Sequence, residues 1–261
     1  MTCHARIVCK LSLAAIVVLL FQFAPAQAQF LRFVATSGDD ANNCATPNLA
    51  CRSLQRAHDA ASSGSKIIVL DSGEFGIITI TKSIAIAATG VHAHLFVISG
   101  GTGTTKITIK AGPDDVIDLD GLAMGRAAPE GANSGIDFIS GGKLHVRNCV
   151  IRNFATAGIF VRGAGRKQVF VSDCTIADNK HGIWARAGHN VFLDRVTVEG
   201  NLGSGVRSQG SAAVVRISNS TVVDNGRGLN AVSGGTIVSL GNNAIIANDT
   251  NGAPTSTASL K

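Results

Sequence analysis

The chain has 261 residues, 23 basic against 17 acidic side chains (formal charge +6), and 45% hydrophobic composition. That length suits one elongated domain, and the mild cationic excess favours acidic partners without specifying nucleic acid, for which no binding motif is present. No second hydrophobic span follows the N-terminal one, which argues against a multi-span membrane protein.

Residues 1–28 read as an address. Arg6 and Lys10 give a basic start, Leu11 to Phe23 is an apolar stretch of 13 residues, and Ala26-Gln27-Ala28 supplies a small-x-small cleavage pattern. A membrane anchor needs about 20 apolar residues, so a cleaved signal peptide is expected. Cleavage leaves 233 residues carrying 21 basic and 17 acidic groups, expected to be secreted or periplasmic.

Residues 29–65 form a lead-in. Cys44 and Cys51 lie close together in the polar segment ANNCATPNLACRS, and in an oxidising compartment they most simply close a disulfide loop. A zinc site is the rival reading, but no further Cys or His stands at ligand spacing. Next, SLQRAHDAASSG places Leu54, Ala57, Ala60 and Ala61 at helical spacing before Gly64, which predicts a short amphipathic helix covering the open first coil.

From residue 66 to 250 the chain reads as short strands punctuated by glycine: KIIVLDSGEFG, IITITKSIAIAATG, AHLFVISGG, TTKITIKAG and DDVIDLDGLAM. A phrase then recurs as VRNCVIRN from Val146, VSDCTIAD from Val171, LDRVTVEG from Leu193, ISNSTVVD from Ile217 and LGNNAIIA from Leu240. The steps are 25, 22, 24 and 23 residues, and Gly158-Ile159, Gly182-Ile183, Gly205-Val206 and Gly228-Leu229 follow successive copies. This period, made of β-branched runs with no helical interval, predicts an all-β solenoid, a single-domain parallel β-helix with three strands per coil. Residues 251–261 read as a tail.

Period-2 alternation points Val169, Val171, Cys174, Ile176, Ile183 and Ala185 inward. Cys149 and Cys174 should therefore stack in the interior as buried thiols, since parallel Cβ vectors suit a disulfide poorly. Two columns of polar residues mark the bends: Asn148, Asp173, Asn219 and Asn242, then Asn179, Asn201, Asn225 and Asn248. Asn tolerates left-handed backbone angles and can pair with the next coil, so these columns read as structural. Arg195 interrupts the first of them, which predicts a different bend in that coil.

The late repeats, with NCVIRN, DCTIADN and NSTVVDN, resemble the coils of the right-handed parallel β-helix, or pectin lyase-like, superfamily. The Cys-bracketed lead-in, capping helix and SGEFG-type opening strand resemble a group of exported bacterial β-helix repeat proteins, across nearly all of residues 33 to 250. Fold does not by itself imply function. The resemblance implies where a site would lie, because polysaccharide-active members use the outer face of the strand that here follows each Gly.

On that strand one outward column runs Asp137, Phe160, Trp184, Arg207, Asn230, and the next runs Ile139, Arg162, Arg186, Gln209, Val232. Lys180, His181 and Arg227 sit just before it, and Gly125 to Gly135 lengthens the same turn and could form a wall. An aromatic platform beside guanidinium groups suits an acidic sugar polymer, so Asp137, Phe160, Arg162, Trp184, Arg186 and Arg207 are the candidate polysaccharide-binding residues.

Catalysis has less support. The superfamily's hydrolases use clustered aspartates, whereas this face has only Asp137. Asp114, Asp115, Asp118 and Asp120 could suggest calcium, but alternation puts Asp118 and Asp120 on a different strand from the basic columns. No metal or cofactor is therefore expected. The alternative to binding is a metal-free lyase or other sugar-modifying enzyme, with Lys180 or His181 as base and Arg186 or Arg207 neutralising the carboxylate. A purely structural envelope role needs no site at all.

Overall fold

The computed structural model describes residues 30–96, 105–125 and 133–258. The expected signal peptide, and the greater part of the insertion expected to form a wall, lie outside the described residues. Among the described residues, three parallel sheets of ten, eight and seven strands make a right-handed parallel β-helix. We call them sheets 1, 2 and 3.

One coil shows the plan. Gln168–Ser172 lies in sheet 1, Thr175–Ala177 in sheet 2 and Ile183–Ala185 in sheet 3, and the next coil begins at Asn190–Asp194 in sheet 1. Each strand pairs in parallel with its counterpart one coil on, about 4.8 Å away. The residues read as inward are buried: Val169, Val171, Cys174, Ile176, Ile183 and Ala185. Each such aliphatic side chain removed from water is worth about 1.5–3 kcal/mol, and here one inward row continues into the next without a break. Cys149 and Cys174 are buried free thiols, the Cys149 amide donating to Cys174 Sγ at 3.4 Å.

The bends between sheets 1 and 2 turn on one left-handed residue each, at Asn148, Asp173 and Asn219 with φ of 51°, 54° and 47°. Arg195 adopts the same conformation at φ 52°, so the expected change of bend is not found. The column continues by another chemistry: the Arg195 guanidinium donates to both oxygens of Asp173 at 2.7 and 2.9 Å. The column shifts at its end, where Gly241 (φ 84°) takes the left-handed position and the Asn242 side chain accepts from the Asn219 amide at 3.1 Å.

Between sheets 2 and 3 the left-handed residue is the one before each expected asparagine: Asp178, Gly200, Asp224 and Ala247. This frees Asn179, Asn201 and Asn225 to turn inward, where they are buried. Asn201 Oδ1 accepts from the Asn179 amide and side chain at 3.0 and 3.1 Å, and Asn201 Nδ2 donates onward to Asn225 at 2.7 Å. The neighbouring glycines make room for this ladder. A Cβ at Gly182 would stand 2.5 Å from the Gly205 carbonyl and 2.6 Å from Val198.

The stack reaches beyond residues 66–250 at both ends. Leu31–Val34, expected as lead-in, is a strand of sheet 1 paired with Ser65–Val69, and Ser256–Thr257 pairs with the strand Thr236–Ser239. The Cys44–Cys51 disulfide is present, and its loop lies along the first strand: the Phe33 amide donates to the Cys44 carbonyl and the Cys51 amide to that of Phe33. This covers an edge that would otherwise expose unpaired backbone. The helix spans Leu54–Ala60, with the Ser53 hydroxyl accepting from the Arg56 amide at 3.2 Å. It buries Leu54, Ala57 and His58, and ends at Ala60 short of Gly64 because Ala61 is already extended.

Candidate functional site

The outward column of sheet 3 has the register expected from alternation. Asp137 lies opposite Phe160, Phe160 opposite Trp184, Trp184 opposite Arg207 and Arg207 opposite Asn230. The Phe160 and Trp184 rings pack at 4.6 Å between centroids and 30° between planes, and His181 meets Trp184 edge-on at 5.2 Å. Trp184 Nε1 donates to Gln209 Oε1 at 3.0 Å, which fixes the indole across the coil step. Gln209 is a positioning residue that sequence reading placed in the second column without giving it a role.

Arg162 and Arg207 both lie over aromatic rings but differ electrostatically. Arg162 is 5.6 Å from the Phe160 centroid and donates through Nε and Nη2 to the two oxygens of Asp137, each at 2.8 Å. The hydrogen bond from Arg162 to Asp137 raises the guanidinium pKa, and Asp137 is itself buried. Asp137, expected among the binding residues, thus presents no free carboxylate, and the charge of Arg162 is spent on it.

Arg207 sits 4.6 Å from the Trp184 centroid, and among the described residues no carboxylate pairs with it. Its Nε is buried without a hydrogen-bond partner. Burial, and then the nearby charge of Arg186, lower its pKa from the ordinary value. A half-buried guanidinium stacked on a ring, with no carboxylate partner among the described residues, has donors suited to an oxyanion.

His181 has a defined protonation state. Its Nδ1 accepts from the Ser204 amide at 3.0 Å, so the ring proton of the neutral form is on Nε2, which faces Arg207 Nη1 at 3.4 Å. Burial, then the charges of Arg207 and Lys180, lower its pKa to about 4. At neutral pH it is therefore an uncharged donor beside Arg207, with no free lone pair to act as a base. Lys180 is exposed and lines a depression of about 330 Å³ with Ala155, Asp178, Leu202 and Gly203, a lining that includes neither Trp184 nor His181.

The acidic group at residues 114–120 faces elsewhere. Asp118 and Asp120 belong to sheet 1, where Asp118 pairs with Arg147 and Asp120 accepts from Asn148. Asp115 holds the Ser83 hydroxyl and the Gly112 amide.

Sequence reading missed a second outward column, on sheet 1. Asp118, His145, Phe170, Phe192 and Arg216 are successive partners there. The signal was present in the repeat itself, because VFVSD and VFLDR carry Phe at the same outward place between two inward residues.

Comparison with known proteins agrees with this architecture. Residues 129–260 match the family described as right handed beta helix region. The chain is similar to the crystal structure of pectate lyase Pel9A, with a TM-score of 0.60 and 17% identity over 80% of this chain and 67% of that one, a likeness of fold. No curated protein matches. The chain therefore belongs to the right-handed β-helix family and has a pectin lyase-like fold.

Proposed function

We propose that this is an exported β-helix protein that binds an acidic polysaccharide along the outer face of sheet 3. The observation that carries the reading is Arg207, stacked on Trp184 and without a carboxylate partner among the described residues. The stacked Phe160 and Trp184 rings offer apolar edges to a sugar chain lying along the face. Arg186 and Arg207, with the Nε2–H of His181 beside them, offer donors to a uronate carboxylate. Export is supported by the basic and apolar N-terminal segment and by the Cys44–Cys51 disulfide.

The test is affinity electrophoresis in gels containing polygalacturonate, alginate or neutral dextran, run alongside an absorbance assay for unsaturated products. Retardation by the uronate polymers alone, lost in Trp184→Ala, is the expected result. Equal mobility in all gels would overturn the reading. Unsaturated products that disappear in Arg186→Ala and Lys180→Ala would assign a lyase in place of a binding protein.

A further inference from the structure

We infer that sheet 1 carries a second saccharide platform, built on Phe170 and Phe192 and directed at an anionic pyranose. It uses residues separate from the sheet 3 face, although the choice of ligand rests on the polymer chemistry proposed for that face. The two phenylalanines are directly paired across neighbouring coils, and Phe170 is 42% exposed. His145, on the preceding coil, packs edge-on against Phe170 at 5.1 Å.

Phe170, Phe192, Gln168, Asn190 and Arg216 surround a depression of about 220 Å³. That is below the roughly 300–1,000 Å³ of a pocket for a drug-sized ligand and suits a single ring. A patch of two aromatic rings is also far smaller than the roughly 800 Å² per partner of a stable protein interface, which disfavours a second copy of the chain as occupant.

The polar groups at its rim determine the sign of the ligand. Gln168 and Asn190 are planar amides, and with the Asn190 amide turned so that its oxygen meets the Arg166 guanidinium, that oxygen accepts from Arg166 Nε and Nη2 at 2.9 and 2.7 Å and the NH₂ is left to donate elsewhere. Arg216 is exposed, and among the described residues no carboxylate pairs with it. No acidic side chain lines the depression. The nearest outward acid on the Phe192 strand, Asp194, is engaged by Arg195 and by Asn219 Nδ2. Aromatic rings, amide donors and a guanidinium that no carboxylate among the described residues pairs with suit a carboxylated sugar. Sheets 1 and 3 are different faces of the same coils, so two occupied platforms would let one molecule hold two polymer segments, with the gain in avidity that linkage brings.

The chain has one tryptophan, Trp184, so its fluorescence reports the sheet 3 face alone. Trigalacturonate titrations followed by both calorimetry and fluorescence can therefore separate the two platforms. The expected result is two sites by calorimetry, with one retained in Trp184→Ala. Phe170→Ala/Phe192→Ala should lose the other while leaving the fluorescence titration unchanged. Arg216→Gln, which leaves the rings in place, should weaken that same site roughly tenfold, guarding against a folding effect of the double variant. One calorimetric site that vanishes in Trp184→Ala and is untouched by the sheet 1 variants would overturn the inference. So would a dimer in light scattering that dissociates in Phe170→Ala/Phe192→Ala. A silent fluorescence signal beside a calorimetric site lost in the sheet 1 variants would defeat the sheet 3 reading and leave this one standing.

Discussion

Arg207 lies over Trp184 at 4.6 Å, while Arg162, in the second column and two coils away, is locked to Asp137 by two hydrogen bonds of 2.8 Å. The sheet 3 face is therefore divided along the helix axis into a neutralised half and a cationic half. Anion binding should depend on the second half. Arg207→Gln is expected to weaken polyuronate binding roughly tenfold and to flatten its salt dependence, read by titration at two ionic strengths. Trp184→Ala should cost roughly tenfold to a hundredfold with little change in the salt dependence that remains.

The neutralised half should respond in stability. Asp137→Asn leaves a partly buried Arg162 without its carboxylate, and a loss of about 1–3 kcal/mol is expected in urea unfolding. Because the freed guanidinium adds to the cationic half, affinity for polyuronate should rise or hold in the same variant. A fall in affinity at unchanged stability would mean that Asp137 itself contacts the ligand.

The pH dependence of stability follows from two buried histidines. His181 is lowered to about 4 by burial, Arg207 and Lys180, and His189 to about 4 by burial and Lys167, against 6.5 when unperturbed. The unfolded chain therefore takes up protons first as the pH falls. Stability from these groups is full above about pH 6.5, declines as the pH approaches 4 and levels off below that, with at most about 3 kcal/mol at stake per histidine. His58, lowered mainly by burial, acts in the same direction. Asp173, held below the carboxylate range by its hydrogen bond from Arg195, contributes only in stronger acid. Urea midpoints measured between pH 7 and 4.5 should fall steadily, and His189→Leu should remove a substantial part of the slope. Because His181 stays mostly neutral across that window, polymer binding should gain little positive charge from it.

The asparagine ladder should be a point of high sensitivity. Asn201 accepts two hydrogen bonds from Asn179 and donates to Asn225, to the Glu199 carbonyl at 2.9 Å and to the Ile176 carbonyl at 3.3 Å. Asn201→Ala strands buried donors and acceptors on both neighbouring coils, and a loss of about 3 kcal/mol is expected. Arg195→Asn, at an exposed bend whose left-handed angle asparagine adopts readily, should leave the denaturation midpoint nearly unchanged.

The amino-acid sequence by itself determined the solenoid. A period near two dozen residues, with apolar residues alternating inside it, leaves Val169, Val171, Ile176 and Ile183 only one way to share an interior, and the same alternation already sets Asp137, Phe160, Trp184 and Arg207 in one outward line. What alternation cannot express is a contact between side chains from different coils. Whether an outward charge is free or paired depends on where a long, rotatable side chain comes to rest, and only the tertiary structure decided that Arg162 folds onto Asp137 while Arg207 meets no carboxylate among the described residues. The same limit explains Arg195, which looked like an interruption because its residue type differed, yet keeps the bend because backbone angle and pairing to Asp173 are satisfied together. Local pattern fixes which way a side chain leaves the strand, and packing across the coils fixes what it meets.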